Sequence, residues 1–283
     1  MFPDDRIVTP SADDNSEIQA ALEEGAGTVR LTPGEFNIDQ AMVFRHDRTE
    51  LVMAPGTIVR HHGPAEAFRF TNTSHCRMVL SQLLCHHDRG SGVVFRQSSA
   101  PGEVKHCRHN EVARGRIVNV TGRIPVKMQP SEVESRGVYF RHSGNSGVEG
   151  YFNRVDAVEI DGFDACIELG RNANGQMLSR INFETAWYGL LCMSHDNTIT
   201  NAFWHETSGR DGQRMECIRV GDGSYPITGN CFSGLSMEPG PLAWGVWLDQ
   251  QTVRNLVVCT PNLHDGQAFA VNDLGTNNKV VLP

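Results

Sequence analysis

Glu184 and Glu206 end two segments of similar wording, SRINFE (179–184) and NAFWHE (201–206), each five residues after a polar residue that opens an apolar alternation. If the two segments stack as neighbouring strands, the carboxylates fall in one column. Two carboxylates held close repel, so one keeps its proton while the other is ionised, as hydrolysis of a glycosidic bond requires. Asp156, three residues after Asn153, supplies a third carboxylate one unit earlier, and His205 is available as a base or as a partner that holds a carboxylate. Trp187, Tyr188 and Trp204 lie beside them, and flat aromatic faces suit sugar rings. A plainer arrangement competes, in which Glu184 and Glu206 are solvated or pair with Arg154 and Arg180 on a polar face.

A second set follows the segments GVVF (92–95) and GVYF (137–140), where Arg96 and Arg141 occupy the next position, with Tyr139 and His142 beside Arg141. Arginines in a row suit an acidic glycan. They would neutralise a uronate carboxylate before its neighbouring proton is abstracted, with Tyr139 or His142 as base. Here too the plain alternative is surface arginines paired with nearby acids.

Both sets need an element that repeats. A polar residue followed two places later by an apolar one recurs at Asn153, Ser179, Asn201, Asn230, Asn255 and Asn278. A second column reads GVVF, GVYF, CIEL (166–169), CIRV (217–220) and GVWL (245–248). Period-two alternation bounded by Gly, Asn and Asp marks short strands. A unit of this size cannot bury its own apolar face, so copies must stack. Stacked asparagines can hydrogen-bond along the axis and tolerate a left-handed corner. These features predict an all-β chain folded as a right-handed parallel β-helix, a single unit over 1–283; a twisted β-sandwich is the alternative.

Residues 1–40 read differently. DDNSEIQAALEEGAG places Ile18, Ala21 and Leu22 on one face of a short helix that follows an Asp/Asn/Ser cap region and stops at Gly25 to Gly27, before a strand at Thr28 to Leu31. Such a helix would cover the open end of a solenoid. Residues 120–137 interrupt the repeat, as a loop that shapes a groove or a contact between copies would.

Composition narrows the function classes. Hydrophobic residues make up 39% and charged residues 20% of the 283, and no apolar run approaches a membrane span. The net charge of −8 argues against a nucleic-acid surface. Only Lys105, Lys127 and Lys279 are lysines among 25 basic residues, so arginine dominates. No secretory signal opens the sequence, which fits a cytoplasmic or virion-associated protein. The eight cysteines form no CxxC pair and read as free buried thiols. The pairs His61-His62 and His86-His87 point to opposite faces of a strand, so neither a metal nor another cofactor is expected.

The run ADDNSEIQAALEEGAGTVRLTPGEFNI, followed by LVMAPGTIVR, resembles the opening of the pectin-lyase-like β-helix superfamily. That superfamily includes polysaccharide lyases, polygalacturonase-type hydrolases, epimerases and phage tailspikes. The likeness covers about the first 60 residues by motif and the rest by repeat pattern. It implies the β-helix, a glycan ligand and, by analogy with tailspikes, a homotrimer. The hydrolase branch's Gly-His-Gly signature and a lyase-type run of calcium-binding aspartates are both missing, so no catalytic residue carries over. The reading reached is a carbohydrate-active enzyme, with hydrolysis by Glu184 and Glu206 ahead of elimination. Its alternatives are a non-catalytic glycan-binding or structural tailspike-like protein, and a fold recruited for intracellular small-molecule chemistry.

Overall fold

The computed structural model describes residues 5–97, 106–122, 128–142, 151–205, 216–238, 244–261 and 270–282. Asp14–Glu23 forms the one α-helix among them, opened by the Asp13 side chain accepting from Ser16 N, with Ile18, Ala21 and Leu22 buried against the first coil. The strand after it runs Gly27–Leu31.

Every strand pairing recorded is parallel. The strands form an eighteen-stranded sheet, a nine-stranded sheet and a two-stranded pair, wound as a right-handed solenoid. A coil takes one strand from the nine-stranded sheet, turns, and adds two more to the larger sheet on either side of a bend. One such coil is Ala165–Leu169, Met177–Ser179 and Asn182–Phe183, after which Tyr188–Cys192 begins the next. Alternate residues of each strand point inward and stack on their counterparts. Phe44, Phe70, Phe95 and Phe140 form one such stack, with ring centroids 4.3, 4.8 and 4.6 Å apart.

The corner between the two sheets is held by a buried amide ladder: Asn110, Asn153, Gln176, Asn197, Asn230, Asn255 and Asn278. From Asn153 on, each side-chain oxygen accepts from the backbone N–H of the member one coil earlier, at 2.9–3.1 Å, and that of Asn110 accepts from Cys76 N at 3.0 Å. The residue before each member is left-handed, from His109 (φ 56°) and Phe152 (φ 59°) to Arg254 and Asn277. The expected column of polar residues therefore exists, with two of its members displaced. Gln176 stands where Ser179 was expected and Asn197 where Asn201 was. Ser179 instead ends its strand with its hydroxyl donating to Asp156, and Asn201 is itself the left-handed residue (φ 54°) at the bend.

All eight cysteines are free and only Cys231 is not fully buried. Burial pushes the Cys85 and Cys107 thiols up to about 12, so they behave as small apolar groups.

Candidate functional site

The displaced ladder changes which carboxylates meet. Asn182 pairs with Phe203 and Phe183 with Trp204, so the position of Glu184 faces that of His205. Glu206 itself lies outside the described residues. The acidic neighbour of Glu184 is instead Asp161, because Ile160 pairs with Phe183 one coil earlier. His205 in turn pairs with Glu238, its Nε2 lying 3.7 Å from Oε2. An outward row of Asp161, Glu184, His205 and Glu238 results.

Burial, with Glu184 as the next cause, raises the Asp161 carboxyl above its ordinary value. A carboxyl whose folded-state pKa is raised costs no stability while protonated in both states. It destabilises the fold as pH climbs through the ordinary carboxylate range and the raised folded value. Asp161→Asn is therefore expected to raise the melting temperature at pH 7. The gain should shrink on acidification and vanish once the carboxyl is protonated in both states, as melts across pH 3–7 would show.

Asp156 does not join this row. Its oxygens accept from Arg180 Nε at 2.9 Å, Ser179 Oγ at 2.6 Å and Arg154 Nη2 at 3.2 Å, and Arg180 also donates through Nη2. Bonding from Arg180 holds the carboxyl below its ordinary value, so Asp156 is a fixed anion of an ion cluster. The aromatic residues lie inside. Trp204 is fully buried and stacks on Phe183, with ring centroids 4.2 Å apart. Trp187 and Tyr188 are buried with Met128, Val133, Ala165, Leu191 and Met193, and Tyr188 Oη donates to Met128 O at 2.8 Å. None of the three offers a face to a sugar, because inward alternation buries Trp204 and the cover of Met128 and Val133 puts Trp187 and Tyr188 in apolar contacts.

The nine-stranded sheet presents a different surface. Val93 and Phe95, then Val138 and Phe140, point into the core, so Val94 and Arg96, then Tyr139 and Arg141, point out. Register places Val94, Tyr139 and Glu168 in one outward column and Arg96 beside Arg141 in the next. Adjacent strands are about 4.8 Å apart, which sets the spacing of these side chains along the axis.

Arg136 ties this surface together. Its guanidinium carbon lies 4.6 Å from the centre of the Tyr139 ring, and its Nε donates to Glu168 Oε2 at 2.5 Å. Burial raises the Glu168 carboxyl against the pull of Arg136. It also raises the Tyr139 phenol, with Glu168 next, so Tyr139 carries its proton. Gly170 leaves room for that ring. A Cβ there would stand 2.7 Å from Phe140 O, 3.1 Å from a Tyr139 ring carbon and 3.5 Å from Tyr139 Oη. Gly170→Ala is therefore expected to displace Tyr139 and to weaken any activity that uses it roughly tenfold or more, since misplacing a reacting group by about 1 Å can cost about a hundredfold. Activity measured beside an unchanged far-ultraviolet dichroism spectrum checks this.

A cavity of about 440 Å³ opens over these residues, walled by Arg96, Tyr139, Arg141, His142, Glu168 and Arg171 among others. Pro130 and Ser131, from the loop that interrupts the repeat, close one side. A second hollow of about 200 Å³ shares Arg96, Tyr139 and Arg141 and continues past Arg69 and Arg136. Together they make a groove along the solenoid axis. Most arginines on its walls are matched by acids: Arg69 by Glu66 at 3.2 Å, Arg136 by Glu168, and Arg171 by Asp222 at 3.3 Å. Among the described residues no carboxylate pairs with Arg96 or Arg141. The groove centre therefore holds two guanidiniums side by side with no carboxylate paired to either among the described residues, Glu168 acting on Arg141 only through its charge.

Of the residues singled out from the sequence, Arg96, Arg141, Tyr139 and His142 line this cavity, whereas Arg136, Glu168, Asp161 and Glu238 were not singled out. Among the described residues no group of three His, Cys, Asp or Glu side chains is placed to hold a metal, and no helix is long and apolar enough to cross a membrane.

No family model matches the chain, and no curated protein sequence matches it. Solved structures do. ORF18 of Geobacillus virus E2 aligns over 97% of this chain and 60% of its own, at 10% identity and a TM-score of 0.58. The chain thus spans about 60% of the length of that viral protein. An alginate lyase from Paenibacillus sp. str. FPU-7 aligns over 97% of this chain and 99% of its own, at 13% identity and a TM-score of 0.46. The A-module of the mannuronan C-5 epimerase AlgE6 of Azotobacter vinelandii covers 96% and 94%, at 16% identity and a TM-score of 0.43. At these identities the likeness is one of fold.

Proposed function

We propose that the chain binds an acidic glycan along the nine-stranded sheet and cleaves it by β-elimination. The observation that carries this reading is the pair Arg96 and Arg141 at the centre of an open groove, with no carboxylate paired to either among the described residues. Two guanidiniums on adjacent strands suit the carboxylate of a sugar acid, which a neutral glycan lacks. The same pair opposes the charge that grows on a carboxylate when the neighbouring C–H proton leaves, which is where elimination needs stabilisation. Tyr139, protonated and open to the same cavity, gives its proton to the departing glycosidic oxygen as the C–O bond breaks and takes up the C–H proton as the double bond forms, so the phenol ends as it began. Hydrolysis by a Glu184 and Glu206 pair has less support, because strand register sets Glu184 against His205 and the row lines neither hollow of the groove.

The test is a panel of uronic and neutral polysaccharides, read for reducing ends and for the ultraviolet absorbance of unsaturated products. New absorbance on uronic substrates alone is the expected result. Reducing ends without absorbance would overturn elimination in favour of hydrolysis. Binding of uronic glycans with no product of either kind would leave a glycan receptor.

A further inference from the structure

His142 is a groove residue with no role in the reading above. It is 7% exposed, lines the 440 Å³ cavity, and among the described residues neither Nδ1 nor Nε2 has a hydrogen-bond partner. Along Arg136–His142 it falls on the same side as Val138 and Phe140, which are core residues. At the strand's end, in register with Gln97, that side meets the cavity wall. An imidazole buried with both nitrogens unsatisfied destabilises the fold, and an apolar residue of similar size would not. The position therefore reads as one kept for something that enters the cavity.

The character of the ring narrows what enters. Burial pushes the His142 pKa down to about 4, so at neutral pH the ring is uncharged, with one nitrogen donating and the other accepting. A carboxylate or phosphate offers only acceptors and would satisfy one nitrogen. Hydroxyl groups donate and accept, and so can satisfy both. Arg141 is the adjacent residue, so the anionic and hydroxyl-bearing parts of a ligand must be close together.

We propose that His142 is a specificity-determining residue that takes hydroxyl groups of the sugar acid whose carboxylate lies on Arg96 and Arg141. The inference rests on the acidic-glycan reading of the groove. It adds that the site distinguishes a hydroxylated anion from a bare polyanion, which the arginines alone could not do.

His142→Leu tests this, because the two readouts move in opposite directions only if the ring serves a ligand. The melting temperature of the full chain is expected to rise, as the unsatisfied nitrogens are removed from an apolar-sided position. Affinity for oligogalacturonate or oligoalginate is expected to fall at least tenfold. Affinity for oligoglutamate, a polyanion without hydroxyls, should be unchanged, and His142→Gln, which keeps a donor and an acceptor, should recover part of the loss. A variant that melts lower and binds both oligouronates like the parent would show a structural histidine and overturn the inference while leaving the acidic-glycan reading intact. A parent that binds neither oligouronate would overturn both. Equal losses for oligouronate and oligoglutamate would also overturn it, since the residue would then serve the anion and not the sugar.

Discussion

Replacing Arg96 and Arg141 together by alanine is expected to lower turnover of an acidic glycan by about 10²- to 10³-fold, the range seen when donors that stabilise developing charge are removed. The fold should not suffer, because neither guanidinium is matched by a carboxylate among the described residues. Removing two like charges from adjacent strands relieves repulsion, so the melting temperature should hold or rise slightly. The parent's affinity should fall with added salt and the variant's should not, since the lost attraction is that of partly exposed charges. Titration with oligogalacturonate at two ionic strengths, beside thermal melts, separates this outcome from a general loss of structure. If the variant keeps the parent's affinity and salt dependence, the groove is not the binding site. Arg136→Ala makes a contrasting control. It leaves Glu168 buried without its partner and removes the cation above Tyr139, so it should cost stability as well as activity.

How much of this was legible in the sequence differs between the two columns of repeats. The GVVF, GVYF, CIEL, CIRV and GVWL segments are aligned in register by the strand pairing itself, so Val94, Tyr139, Glu168, Arg219 and Trp247 belong to one outward line. One coil was missed. Gly189 to Cys192 carries Leu191 in that line, and a run of buried residues shows no alternation to read. Reading the third letter of each segment across coils would have placed Glu168 beside Tyr139. The polar column misled for a physical reason. Gln176 does an asparagine's work in the ladder, and Asn201 is a left-handed bend residue of the type that also precedes ladder members. Taking Ser179 and Asn201 as equivalents shifted one coil by three residues and the next by four. That difference of one turned Glu184 from the partner of His205 into an apparent partner of Glu206. In a strand a one-residue slip exchanges the two faces, which is why Trp204 was expected outside and lies in the core. Arg136 carried no signal at all, since what it touches depends on which coils are adjacent.

The ladder that caused the misreading is also where a single substitution should do the most damage to the fold. In Asn197, Oδ1 accepts from Gln176 N at 2.9 Å, while Nδ2 donates to Ser194 Oγ and to Asn230 Oδ1, both at 3.0 Å. Asn197→Leu keeps the volume, so it opens no cavity, yet it leaves the backbone N–H of Gln176 without its acceptor inside the corner. Each buried group so orphaned costs about 1–3 kcal/mol, which puts the expected loss at roughly 3 kcal/mol or more, a large part of a typical stability. Asn278→Leu supplies the internal comparison. Asn278 makes the same bond to Asn255 N at 3.0 Å but is only half-buried, so water can replace the lost amide and the cost should be about 1 kcal/mol. Denaturant unfolding of both variants reads the difference directly. Equal losses would mean that burial does not set the ladder's worth. A neutral Asn197→Leu would mean that the coils are held by their apolar stacks alone, and that the amides choose register without adding stability.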